Sequence, residues 1–204
     1  MTDASEIAFT DSVKAIQSRK GSRDIYARKQ KGGGWQTEIT SELADFVVKQ
    51  RSFFLATVNA SGQPYIQHRG GPAGFLKVID SKTLAFADYK GNKQFISQGN
   101  LTDNPKAFIF LIDYLDRTRI KIWGRARVVE DQPELLDELM PRRDEYRARP
   151  EQVLVFTVDA WDRNCPLHIP QRVDREDVDK LLHERDLRIA ELEARVRQLT
   201  GKNK

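Results

Sequence analysis

Two changes of period divide this chain. Between positions 5 and 50 the apolar residues Ile7, Phe9, Val13 and Ile16 fall at helical spacing, and the run breaks at Gly32-Gly33-Gly34. Either hydroxyl of Thr40-Ser41 predicts the cap of a further helix carrying Leu43, Phe46 and Val47. From Ser52 onward the spacing becomes that of strands. Apolar runs at 53–58, 64–69, 75–79, 83–86, 107–112, 120–129 and 153–158 predict about seven of them, with Asn59-Ala60-Ser61-Gly62 as the first turn. Helical pieces near 93–101 and 133–143 interrupt the series. Closing such strands into a barrel removes their exposed edges.

A third zone opens near Asp174. Val178, Leu182, Arg185, Ile189, Leu192, Val196 and Leu199 alternate at spacings of four and three, the seam of a coiled coil interrupted by Arg185. A lone helix of this length is marginal in water. The seam therefore implies packing against the domain or a partner, with self-association as the sharper alternative. The expected organisation is an N-terminal helical extension (1–42), a β domain (43–173) and a C-terminal helix (174–204).

Composition adds limits rather than detail. With 39% hydrophobic and 31% charged residues among 204, the chain can bury one core beneath an ionic surface. Its 34 basic and 30 acidic residues give +4, an excess that suits a phosphate-bearing ligand as well as nucleic acid. The basic residues lack the aromatic interleaving of a strand-binding platform, which weighs against nucleic acid. A single cysteine, Cys165, excludes an internal disulfide and fits a reducing compartment. No apolar run approaches the ~20 residues that span a bilayer, and the start of the chain has neither the basic nor the apolar region of a secretion signal. The expected location is the cytoplasm, without a membrane partner.

Common catalytic signatures are missing: no G-x-G-x-x-G, G-x-x-x-x-G-K-[ST], H-E-x-x-H or G-x-S-x-G occurs. Three histidines (His68, His168, His183) and one cysteine are too few for a zinc site, so no metal is expected. Cys165 and His168 lie three residues apart, but Pro166 and Pro170 stiffen that segment and the spacing does not aim thiol at imidazole. Two glycine-flanked cationic segments remain, Gln67-His68-Arg69-Gly70-Gly71 and Tyr89-Lys90-Gly91-Asn92-Lys93-Gln94. Charge, N–H donors and the lack of a Cβ suit them to a phosphate and a flat polar ring. His68 and Arg69 point to opposite faces of their strand, so only one serves a given ligand. Taken singly, Arg69 also reads as a surface ion pair and 91–94 as a polar turn opening a helix.

Taken in order, four segments carry a resemblance: Ser61-Gly62-Gln63-Pro64-Tyr65-Ile66-Gln67-His68-Arg69-Gly70-Gly71, Leu84-Ala85-Phe86-Ala87-Asp88-Tyr89-Lys90-Gly91-Asn92-Lys93-Gln94, Asn100-Leu101-Thr102-Asp103-Asn104-Pro105 and Ile120-Lys121-Ile122-Trp123-Gly124-Arg125-Ala126. Over about 43–172 the chain resembles the pyridoxamine 5'-phosphate oxidase-like FMN-binding split barrels, in the branch described as flavin-nucleotide-binding proteins. The resemblance implies a mainly β, α+β fold with flanking helices: a six-stranded antiparallel split β-barrel with a coiled-coil-like C-terminal helix. It also implies a homodimer with FMN at the subunit interface. Arg69 and Lys93 would take the phosphate, with His68, Gly70, Asn92, Gln94 and Asn100 close by. Arg119, Trp161, His168 and Arg172 would approach the flavin from the partner subunit. The vitamin oxidase has an arginine where this chain has Asn92 and a glutamine where it has Arg119. These departures bear on the substrate more than on FMN.

The expected activity is that of a flavin-dependent oxidoreductase acting on a small molecule, with His168 as the candidate catalytic group. The alternatives are a non-enzymatic flavin- or haem-binding redox sensor, for which His68 or His168 would supply an axial ligand, and an interaction protein working through its C-terminal helix.

Overall fold

The computed structural model describes residues 3–140 and 146–201. The chain divides into two compact units, one of Met1–Asp113 with Thr118–Pro166 and the other of Tyr114–Arg117 with Leu167–Lys204. Among the described residues no helix is long and apolar enough to cross a membrane.

The first unit opens with a 3-10 turn at Ala4–Ile7, then α1 (Asp11–Arg19) and α2 (Arg23–Lys31). The single helical zone expected here is divided because Gly21, at φ 77°, takes the left-handed conformation that ends α1. Helix α3 (Ser41–Lys49) starts at Thr40, whose Oγ1 accepts the Leu43 N–H at 3.3 Å, and it buries Leu43 and Val47 completely. The amphipathic pattern of the sequence thus delivers one helical face to the core.

The strands are β1 (Ser52–Val58), β2 (Pro64–Gly70), β3 (Lys77–Asp80), β4 (Thr83–Tyr89), β5 (Lys106–Asp113), β6 (Thr118–Val129) and β7 (Pro150–Asn164). Helix α4 (Ile96–Asp103) precedes β5, and α5 (Pro133–Leu139) lies between β6 and β7. They form one seven-stranded antiparallel sheet in the order β2-β1-β5-β6-β7-β4-β3. The expectation of six strands is corrected by β3, an edge strand paired only with β4. Among the described residues no ladder joins β2 to β4, so the sheet curls without closing: a split barrel in a mainly β, α+β fold.

Alternation sets the core. Phe53, Leu55 and Thr57 of β1 and Ala107, Ile109 and Leu111 of β5 point inward and are buried. Phe53 packs on Phe75 and Phe86, with ring centroids 5.7 and 5.2 Å away. The apolar run at 75–79 is only partly strand. Phe75 and Leu76 are buried from a turn in which the Phe75 N–H donates to the Pro72 carbonyl at 3.0 Å. Strand β6 slips register between Trp123 and Gly124, and a Cβ on Gly124 would lie 2.1 Å from the Thr157 carbonyl oxygen. Only glycine fits there.

Helix α5 ends earlier than expected, with Met140 in extended backbone; the expected end at Arg143 lies outside the described residues. In the second unit, α6 (Arg175–Gly201) carries the heptad seam.

Candidate functional site

A recess forms where the curled sheet brings β2 opposite β4. Along β2, Tyr65, Gln67 and Arg69 are half-buried and line it, whereas Ile66 and His68 are exposed on the opposite face. The period-two geometry of a strand does this directly. Arg69 Nη1 donates to Asp88 Oδ1 on β4, an ion pair bridging the open seam of the barrel. The side chains of both are nearly buried, 15% and 11% exposed, so solvent screens the pair little. Gln152 of β7, directly across from Asp88 in the ladder, donates its Nε2–H to Asp88 Oδ2 at 3.0 Å. Burial pushes the Asp88 carboxyl above its usual range, against the opposing pull of Arg69 and Gln152. Beside it, burial and the neighbouring Tyr146 push the Tyr89 phenol up to about 12.

The loop between β4 and α4 forms the rim. Lys93 (φ 59°) and Phe95 (φ 52°) both adopt the left-handed conformation, which L side chains rarely take. Each costs on the order of 1–3 kcal/mol, a strain that tends to collect at functional sites. The expected helix from 93 therefore begins only at Ile96. Asn92 Oδ1 accepts the Gln94 N–H at 3.2 Å, closing a local turn, and Ser97 donates its hydroxyl to Gln67 Oε1 at 2.7 Å. The recess thus unites Arg69 with Asn92, Lys93 and Gln94. It offers about 50 Å3, room for a phosphate-sized group. Among the described residues Arg69 Nε is buried without a hydrogen-bond partner, a donor left over on the guanidinium that lines the recess.

The recess sets a held guanidinium with an unused donor and a lysine at the rim beside the carboxylates of Asp88 and Glu151, and the two cations are groups of the kind that hold a phosphate. These residues fit a ligand phosphate. Among the described residues no group of three His, Cys, Asp or Glu side chains is placed to hold a metal ion.

The remaining sequence candidates sit elsewhere. His68 faces away, its ring edge-on to Phe54 at 5.7 Å, and Gly70 lies beside it. Asn100 is buried and donates to Thr57 Oγ1 at 3.0 Å, tying α4 to β1. Arg119 donates from Nη2 to the Cys165 carbonyl at 2.9 Å, and its Nε is buried without a partner. Trp161 belongs to the core and donates its indole N–H to the Glu38 carbonyl at 2.7 Å, pinning the N-terminal segment to β7. In the second unit His168 is exposed at φ 64°, and Arg172 lies over the Tyr114 ring at 4.5 Å. Gln67 and Asp88, which lay in the quoted segments without an assigned role, also line the recess, as does Gln152, which was not among the sequence candidates. For Asp88 the signal was a carboxylate ending an apolar strand run, Leu84-Ala85-Phe86-Ala87-Asp88.

None of the curated proteins matches this chain. Among solved structures, HupZ of Group A Streptococcus aligns at TM-score 0.49 and 20% identity, covering 67% of this chain and 99% of its own. An FMN-binding protein from Syntrophomonas wolfei aligns at TM-score 0.47 and 16% identity, covering 74% and 97%. HutZ, the heme storage protein from Vibrio cholerae, aligns at TM-score 0.43 and 16% identity, covering 59% and 89%. Likenesses this distant carry no functional conclusion. The family model described as pyridoxamine 5'-phosphate oxidase matches residues 39–165, well over half of the 204 residues and including every strand of the sheet. The chain belongs to the pyridoxamine 5'-phosphate oxidase family.

Proposed function

We propose that this protein binds FMN with the phosphate in the recess between β2 and β4, and acts as a flavin-dependent oxidoreductase on a small molecule. The observation that carries the reading is the convergence of Arg69, Asn92, Lys93 and Gln94 on one recess, with a buried donor of Arg69 left over. Bound FMN would supply two-electron redox chemistry; the protein supplies position and electrostatics. Arg69 and Lys93 neutralise the phosphate, Asp88 and Gln152 hold the guanidinium in place, and Asn92 and Gln94 offer amide contacts at the rim. In this reading a second copy of the chain completes the site, giving a homodimer with FMN at its interface, as the family resemblance implies. Arg119, His168 and Arg172 are the groups assigned to approach the ring from that partner. A cation there favours the reduced, anionic flavin, and the His168 imidazole can donate a hydrogen bond to substrate.

The purified protein is expected to show absorption near ~370 and ~450 nm that bleaches with dithionite. A single band near ~410 nm would assign haem instead, and a colourless protein that takes up neither would support the interaction role.

A further inference from the structure

Among the described residues the apolar seam of α6 is left uncovered: Val178, Leu182, Ile189, Leu192, Val196 and Leu199 are 39–62% exposed. With Leu182, Ile189 and Val196 at a, and Val178, Arg185, Leu192 and Leu199 at d, the flanking positions carry opposite charges. Asp179, Asp186 and Glu193 fall at e, followed by the neutral Thr200, and Arg188 and Arg195 fall at g, preceded by the apolar Leu181. We infer that α6 pairs with α6 of a second copy of this chain as a parallel, in-register two-stranded coiled coil.

Charge and shape both select this occupant. In a parallel pair each g residue meets the e residue five positions on in its partner, so Arg188 faces the partner's Glu193, twice per dimer. In an antiparallel pair e meets e and g meets g, which sets carboxylate against carboxylate and guanidinium against guanidinium. A β-branched residue at a with leucine at d, as in Ile189-Leu192 and Val196-Leu199, favours two strands in parallel. Arg185 at d tolerates only an alignment that lets both guanidinium groups reach water, which fixes the register at a cost in stability. In the single chain Arg188 pairs with Glu191 at 2.6 Å and Arg197 lies 3.9 Å from Glu193. These exposed pairs are weak enough to exchange for interchain ones. The pairing does not depend on flavin binding.

The test uses the full chain with Cys165, its single cysteine, replaced by serine, and adds one cysteine at a time. Val178→Cys and Leu199→Cys, at opposite ends of the seam, are each expected to form a disulfide with their own copy under mild oxidation. Ala194→Cys, at the outward f position, is expected to stay uncrosslinked, which separates a seam from tails merely tethered by a dimeric barrel. Arg188→Glu in the Leu199→Cys background is expected to slow crosslinking several-fold, and Arg188→Glu with Glu193→Arg to restore it. Leu199→Cys crosslinking no faster than Ala194→Cys would overturn the inference. So would a disulfide that forms only between Val178→Cys and Leu199→Cys chains when the two are mixed, since that pairing is antiparallel. Neither result bears on the flavin spectrum, so this inference and the proposed function fail separately.

Discussion

Arg69 and Asp88 meet across 19 residues of chain and two strands that are not neighbours in the sheet, whereas Leu192 and Val196 share a face simply by lying one helical turn apart. The recess is a product of the whole barrel. Its guanidinium is oriented by a carboxylate on β4, which is held in turn by an amide on β7. The α6 seam is a product of local periodicity and lacks only its complement. Damage to the barrel should therefore reach the recess from a distance, while damage to the seam should stay local.

The sharpest way to break this contrast is at the recess itself. Arg69→Ala combined with Lys93→Ala is expected to weaken FMN binding by at least 100-fold, since each lost charge-assisted contact to phosphate costs roughly 1.5–3 kcal/mol. Titration of flavin fluorescence measures it. Lys93→Ala alone, at an exposed rim position, should account for part of the loss without altering the melting temperature. Away from the recess, Gly124→Val is expected to destabilise the first unit by about 3 kcal/mol, because its Cβ would strike the Thr157 carbonyl 2.1 Å away. Thermal denaturation should show this. Asn100→Ala removes the donor to Thr57 Oγ1 and should cost about 1–2 kcal/mol of stability in urea titration. FMN affinity should change far less than in the double variant, because Asn100 does not line the recess.

The smallest effect expected is on pH dependence. Asp88 keeps its proton to higher pH in the folded chain than in the unfolded one, where the carboxyl titrates near 3.8. Between that pH and its raised value the folded state binds more protons, so the contribution of Asp88 to stability falls as pH rises through the window. Asp88→Asn should remove that slope from a series of denaturation curves, leaving the other carboxylates to set the remainder.

The contrast also explains what the sequence could disclose. Strand alternation at Phe53-Leu55-Thr57 and Ala107-Ile109-Leu111, and the heptads of α6, are local periods that survive without tertiary information. Arg69 and Lys93 were legible as cations beside glycine, but the recess uniting them comes from the curl of the sheet. Asp88 and Gln152 are 64 residues apart and become partners only through the β4–β7 register. Trp161, linked by resemblance to the flavin, is 5% exposed and tied to Glu38, a contact across 123 residues that no local period announces. The helix expected from 93 starts late because Lys93 and Phe95 take left-handed backbone, which no apolar period announces.

Assignment of the FMN phosphate to Arg69 and Lys93 is tested most directly by titrating FMN into apoprotein, wild type against the Arg69→Ala/Lys93→Ala double variant, with circular dichroism to verify that both are folded. The expected result is saturable binding by the wild type, with flavin bands near ~450 nm, and a loss of affinity of at least 100-fold in the folded double variant. Equal affinity in the two proteins, or no binding by the wild type, would contradict it.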